Sequence, residues 1–437
     1  MIRKKALIIT YYWPPSGGPG VQRWLKFTKY LRDFGWEPVI YTAENPEVPE
    51  IDHSLVKDIP ENVTVIKRKI WEPYQLYKFF VGQKQDSRIS QAFLSESKKP
   101  KTAEMISRWI RGNFFIPDAR KYWIKPSIRF LTEWLKDNPV DVIISTGPPH
   151  SMHLIAHGLK IQSGIPWIAD FRDPWTNIEY YDDLLLTSRS DRKHHQLEAK
   201  IIKNANRVIA VSPTWKAEFE KDHKRPIDLL TNGYDEEDFE GVNPGQDPYF
   251  SISHIGTMIP SRNPGSLWSA LSQLVKENED FAHDFRLILV GRVDHSVMDA
   301  IKAFDLQNNL ITTGYLSHNE VMIRQKSTWV LLDILKRASN TKGLYAGKLF
   351  EYLAAKRPIL LIGPSDSDAA KLIEELQAGY AVDFEDQERM KTIIKNLYND
   401  YQKNNLEDRS NKIEQFSRKN LTRKLSSILN EVISTSI

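Results

Sequence analysis

Short apolar or β-branched runs alternate with longer amphipathic stretches along almost the whole chain, and this alternation limits the fold more than any other feature. Ala6–Thr10, Glu37–Tyr41, Thr64–Lys67, Val140–Ser145, Trp167–Ala169, Arg207–Val211 and Ile227–Leu230 are predicted strands. Val21–Phe34, Ser151–Ser163, Asp191–Asn204 and Pro213–Lys221 are predicted helices between them. Strands joined by crossover helices imply a parallel sheet. The pattern restarts after Asn243-Pro-Gly-Gln-Asp-Pro248, with strands at Tyr249–Ile255, Phe285–Val290, Asn309–Thr313, Val330–Ile334, Pro358–Ile362 and Gly379–Val382. A chain of 437 residues exceeds what one hydrophobic core usually supports, so the reading is α/β with two doubly wound halves. No short-period repeat points to a solenoid or propeller.

The absence of cysteine excludes disulfides and thiolate metal sites and fits a reducing, cytoplasmic setting. No apolar stretch approaches the roughly 20 residues of a membrane-spanning helix, so a soluble or peripheral protein is expected. The net charge of +4 is unevenly distributed. Residues 62–136 hold 16 Lys and Arg against 6 Asp and Glu, interleaved with aromatics such as Trp71, Phe93, Trp109, Phe114, Tyr122 and Trp123. Such a segment suits an acceptor-side or membrane-facing insertion, and equally a solvated, locally packed helical one. Nucleic-acid binding is disfavoured, because no recognised module accompanies the basic stretch.

In open parallel sheets ligands bind outside the carboxyl ends of the strands, which directs attention to the loops that follow them. The first loop reads Gly17-Gly18-Pro19-Gly20-Val21-Gln22-Arg23, where Gly18 and Gly20 allow close backbone approach to a ligand or simply make a turn. It is no dinucleotide fingerprint, because Arg23 replaces the third glycine and the second strand ends at Tyr41-Thr42 without an acidic residue. "WIADFRDPW" sets Asp170, Arg172 and Asp173 at a strand end, and "STGPPHSMH" sets His150 at a helix start, as base, hydroxyl ligand or cap. In the second half, Gly256, Thr257 and Arg262 follow one strand, Gly291 and Arg292 the next, and Gly314, Tyr315 and Leu316 a third. "GLYAGKLFEYLAAKRPILLIG" reads as a helix opened by Gly347, with Lys348 on its first turn and Glu351 three residues on. An ammonium and free N–H groups there suit a diphosphate, and the carboxylate suits a vicinal diol.

The ordered series "PPSGGPGVQR", "GPPHS", "ADFRDPW", "TNGYD", "GTMIPSRNP", "VGR", "GYL" and "GKLFEYLAAKRPIL" resembles retaining glycosyltransferases of family 4, which have the GT-B fold, over nearly the whole chain. The resemblance implies two Rossmann-like domains facing a central cleft. The acceptor-side domain would span 1–226 plus a returning C-terminal helix at 414–437, with the insertion at 62–136, and the donor domain would span 227–413. It implies a UDP- or GDP-type nucleotide-sugar donor, a glycan or lipid-linked acceptor, and no metal or other cofactor. Glu351 would hold the donor ribose, Arg262 and Lys348 would neutralise the diphosphate, and Gly18 and Gly20 would approach the phosphate or sugar. Tyr315 and Leu316 would lie near the nucleobase, Gly256, Thr257, Arg292 and Gly347 would also bind the donor, and Asp173 and His150 would join Arg262 and Lys348 as catalytic residues. One position departs from the family. Eight residues before Glu351 the family places a second glutamate, where this chain has Gly343, and Asp333 is a candidate substitute. The expected activity is therefore hexosyl transfer in polysaccharide or glycolipid synthesis, with a catalytically weakened nucleotide-sugar or glycan-binding subunit as the alternative.

Overall fold

A computed structural model describes residues 3–48, 51–72, 102–178, 180–338, 340–405 and 412–435. The chain forms two compact units, one of residues 1–232 with 418–437 and the other of residues 233–417.

Among the described residues, the first unit is built on a seven-stranded parallel sheet in the order β3-β2-β1-β4-β5-β6-β7. Its strands are β1 (Lys4–Ile9), β2 (Trp36–Ala43), β3 (Thr64–Arg68), β4 (Val142–Gly147), β5 (Trp167–Phe171), β6 (Arg207–Ala210) and β7 (Asp228–Leu229). The central strands β4 and β5 are buried throughout, which is why they read as continuous apolar runs rather than alternating ones. Helix Pro19–Leu31 covers one face with Val21, Trp24 and Leu25, joined in the same core by Leu421, Leu425 and Leu429 of the C-terminal helix Arg418–Ser434.

The unit boundary falls at Asn232, beyond the expected 226, because β7 pairs with β6 and so completes the first sheet. The segment 62–136 is not a separate insertion across its described length. Its β3 pairs with β2, and helix Lys121–Asp137 buries Trp123, Leu131 and Leu135, with Trp123 stacked 5.0 Å from Tyr41. Residues 73–101 of it lie outside the described residues.

The second unit carries a six-stranded parallel sheet in the order β10-β9-β8-β11-β12-β13. The strands are β8 (Phe250–Ile255), β9 (Phe285–Val290), β10 (Leu310–Gly314), β11 (Val330–Ile334), β12 (Ile359–Ile362) and β13 (Gly379–Val382). Their order places the carboxyl ends of β8 and β11, which pair with each other, at the middle of the sheet. In both units connections go from the first strand outward and then to the other side of it, which is the switch point where a doubly wound sheet opens a crevice.

Candidate active site

In the first unit, the loops after β1, β4 and β5 are drawn together by Arg172. Its guanidinium donates to the carbonyl of Gly20 at 2.8 Å and to those of Gly147 and Pro148. A Cβ on Gly20 would come within 2.8 Å of that guanidinium, which would have to shift to admit a larger residue. Gly18 differs: it adopts φ +90°, and the space where a Cβ would stand is empty within 4 Å. Asp173 lies half-buried beside Arg172 and supports its positive charge.

Asp170 is not at the rim. It lies inside β5, fully buried, where Arg23 donates to it through Nη2 at 2.8 Å and Nε at 3.2 Å. Trp24 Nε1 and Thr146 Oγ1 add two more hydrogen bonds to its Oδ2, at 2.8 and 2.9 Å. Burial works against the ionised form, yet these partners, led by Arg23, hold the carboxyl below its ordinary range. The remaining donors of Arg23 reach the carbonyls of Leu230 and Thr231. The pair ties helix Pro19–Leu31 to β5 and to the segment after β7, and is structural.

His150 does not cap helix Ser151–Ser163; Asp118 does, accepting from the backbone N–H and hydroxyl of Ser151, each at 2.8 Å. The His150 ring stacks on Trp175 with centroids 4.4 Å apart and planes 4° from parallel. Trp175 in turn donates to His194 Nδ1 at 3.0 Å and is buried, so it is a core residue rather than a platform at the rim. Burial, with the fields of His153, His194 and Arg172, lowers the His150 pKa well below the usual range, which makes it a poor base.

The second unit presents a different arrangement. Lys348 Nζ lies 3.0 Å from Glu351 Oε2, and Gln325 Nε2 donates to the same oxygen at 3.0 Å. The helix begins at Leu349 with Lys348 as its N-cap, two residues later than expected, and Gly347 lies in the exposed turn before it. With only seven residues, this helix has a weak dipole, so an anion here would depend on side-chain cations. Gly343, where the family would place its other glutamate, is buried in a 3-10 turn, Thr341–Gly343.

Arg262 ends a short turn after β8, and its charge acts on Asp333, His254 and Tyr352. Asp333, the last residue but one of β11, is buried, and desolvation raises its pKa to about 6 even against Arg262. His254, on β8, donates through Nδ1 to the Leu332 carbonyl at 3.0 Å; its burial lowers the ring pKa to about 4. The phenol of Tyr352 accepts the Ile255 N–H at 2.9 Å. His254, Tyr352 and Gln325 are members of this group that sequence reasoning passed over. His254 alone left a signal there, a titratable residue inside an apolar strand run directly before Gly256.

Thr257, Arg292 and Tyr315 are exposed on the loops after β8, β9 and β10, and Leu316 packs partly against the core. Gly291 is required by close approach, since a Cβ there would stand 2.8 Å from the Gly256 carbonyl oxygen. A depression lined by Asp247, Asp284, Trp329 and Tyr401 lies at the opposite ends of β8, β9 and β11 and is remote from these loops. Among the described residues no group of three or more His, Asp or Glu is placed to hold a metal ion, and no helix is long and apolar enough to cross a membrane.

Residues 92–238 match the model of Glycosyltransferase Family 4. That match spans about a third of the chain, and the fold of the chain is GT-B. Solved structures resemble the chain over almost its whole length. Sucrose-phosphate synthase from Thermosynechococcus elongatus has a TM-score of 0.59 at 12% identity, covering 99% of this chain and 97% of the other. TarM from S. aureus, determined as a point mutant with fondaparinux, α-GlcNAc-glycerol and UDP, has a TM-score of 0.57 at 13% identity, covering 99% and 96%. A putative UDP-N-acetylglucosamine 2-epimerase from Listeria monocytogenes has a TM-score of 0.55 at 9% identity, covering 99% and 97%. No curated protein matches the chain in sequence. Identities this low establish the fold, and a fold hosts more than one reaction.

Proposed function

We propose that this GT-B protein is a retaining glycosyltransferase that moves a hexose-type sugar from a UDP- or GDP-type donor to a glycan or lipid-linked acceptor. The observation that carries this reading is the Lys348–Glu351 pair at a helix start of the second unit, with Arg262 on the loop after β8 acting, like Glu351, on Tyr352 of that helix. The difficult step is departure of a diphosphate, and preorganised cations aimed at the growing charge are the strongest means of easing it. Arg262 and Lys348 supply those cations. Glu351 accepts the ribose hydroxyls once the diphosphate has drawn Lys348 away from it. The bond between the anomeric carbon and the diphosphate oxygen breaks while the acceptor oxygen bonds to the same face. The acceptor's proton passes to a departing phosphate oxygen, so no protein nucleophile is needed. The reading invokes no metal or other cofactor, and UDP in the TarM structure is consistent with this donor class.

Helix Thr102–Phe114 exposes Met105, Ile106, Trp109, Ile110 and Phe114, with Arg111 beside them. This face suits the cytoplasmic surface of an anionic membrane, where a lipid-linked acceptor would be met. Co-sedimentation with phosphatidylglycerol vesicles should fall in the double variant Ile106→Ser, Trp109→Ser; unchanged sedimentation would remove the membrane role.

The buried Gly343 favours a second reading, a nucleotide-sugar or glycan-binding subunit with weakened catalysis. Release of sugar from a panel of UDP- and GDP-sugars decides between them. Turnover that drops about 100-fold in Lys348→Ala supports the transferase. Binding without any turnover, with candidate acceptors present, supports the subunit.

A further inference from the structure

Three side-chain atoms at the carboxyl ends of β8 and β11 are buried without a hydrogen-bond partner among the described residues: Asp333 Oδ2, His254 Nε2 and Arg262 Nε. Buried polar atoms are nearly always paired, and unpaired ones at the ends of two adjoining strands and on the loop that follows mark a place where structure has been given up for another purpose. Their chemistry is complementary. Because His254 Nδ1 donates to the Leu332 carbonyl, its Nε2 is an acceptor; Asp333 Oδ2 is an acceptor, and Arg262 Nε–H is a donor. Arg262 is also the cation whose field reaches Asp333, His254 and Tyr352.

We infer that Asp333 is a positioning residue for Arg262: its buried carboxyl, with one oxygen unpaired among the described residues, lies in the field of the guanidinium, and its charge sets how strongly Arg262 holds an anionic diphosphate. The inference rests on the proposed donor reading of Arg262. An ionised Asp333 draws the guanidinium toward the sheet and cancels part of its charge. A protonated Asp333 leaves Arg262 to the ligand. Binding and protonation are then coupled, and the coupling is reciprocal.

The groups that face Asp333 support this. On the adjoining strand β8, His254 is bonded to the Leu332 carbonyl, and its pKa near 4 keeps it neutral over the range where Asp333, near 6, changes charge. The helix Leu349–Ala355 contributes Tyr352, whose pKa is raised well above its usual value and which stays neutral as well. On the other side β12 sets Leu361 opposite Asp333 and brings no titratable group. Asp333 is thus the member of the group that titrates between pH 5 and 8.

Equilibrium titration of the full chain with UDP-glucose and GDP-mannose at pH 5.5 and 7.5 tests the inference, because the diphosphate of a nucleotide-sugar keeps its charge across that interval. Affinity of the wild type should be about fivefold or more higher at the lower pH. Asp333→Asn, nearly isosteric, should bind tightly at both values with no slope. Asp333→Ser, smaller and neutral, should share that flat profile and covers a failure of the first variant to fold. Arg262→Ala should bind weakly and without slope. A wild-type slope retained in the Asp333 variants overturns the inference while leaving the donor reading intact. Wild-type affinity in Arg262→Ala, or no binding by the wild type at either pH, overturns the donor reading and the inference with it.

Discussion

Arg23 and Arg262 each follow the first strand of their own sheet, and each acts on a buried aspartate, but the two pairs are finished differently. Asp170 receives hydrogen bonds from Arg23, Trp24 and Thr146, and its carboxyl is held below the ordinary range although burial opposes this. Asp333 has an oxygen without a partner among the described residues, and its carboxyl is raised to about 6. A fully satisfied buried ion pair fixes a fold, whereas a partly satisfied one is costly to keep and can be reset by a ligand or a proton. On this comparison the Arg23–Asp170 pair holds the first sheet together, whereas Asp333 lies in the field of Arg262 without an ion pair among the described residues and belongs to the proposed donor site.

The largest expected effect is the loss of the satisfied pair. Asp170→Ala leaves Arg23 buried without its counter-charge and should destabilise the first unit by about 3–5 kcal/mol in urea unfolding. A change below about 1 kcal/mol would show that Arg23 is served well enough by the carbonyls of Leu230 and Thr231, and would break the comparison.

The second effect has the opposite sign. The folded pKa of Asp333 stands near 6 against 3.8 for the free group, so its contribution to stability is complete below 3.8 and is lost as pH rises through 6. Asp333→Asn should therefore stabilise the protein at pH 8, by up to about 3 kcal/mol, and change little at pH 3.5. For Asp170 the folded pKa is depressed, so its contribution is present above 3.8 and disappears as pH falls through the lower folded value. Unfolding curves for Asp333→Asn that run parallel to the wild type at all pH values would show that the two aspartates do not differ as described.

A smaller effect separates the two loop glycines of the first unit. Gly18→Ala should cost about 1–2 kcal/mol through its φ of +90° alone, since nothing stands near the added methyl group. Gly20→Ala meets the Arg172 guanidinium instead, so its cost should shrink when Arg172 is also replaced by Ala. Additive costs in that double variant would remove the packing explanation for Gly20.

Much of this was legible in the sequence, and the parts that were not have physical causes. The strands β9 and β11 lie where their apolar runs predict, because a parallel strand buried on both faces needs uninterrupted apolar residues. Asp170 was placed at the rim because the apolar run ended at Ala169. Its true place inside β5 depends on Arg23, 147 positions earlier, and no local pattern reveals such a partner. The short helix after Gly347 starts at Leu349, within the usual fraying of helix ends. Of the second-unit group, Arg262, Lys348 and Glu351 could be named from loop chemistry and resemblance. Tyr352 and Gln325 could not, since their involvement follows from which strands and helices meet, and His254 left only the signal of a titratable residue inside an apolar strand run. The basic aromatic segment was read too broadly, because its charge hid the apolar face of Lys121–Asp137 that packs on the sheet.

The most direct test of the account compares the two arginines in one experiment: nucleotide-sugar turnover and thermal unfolding of Arg262→Ala and Arg23→Ala beside the wild type. The account expects Arg262→Ala to melt close to the wild type while its kcat/KM falls about 100-fold or more, and Arg23→Ala to unfold early. An Arg262→Ala protein that turns over a nucleotide-sugar at the wild-type rate would contradict it.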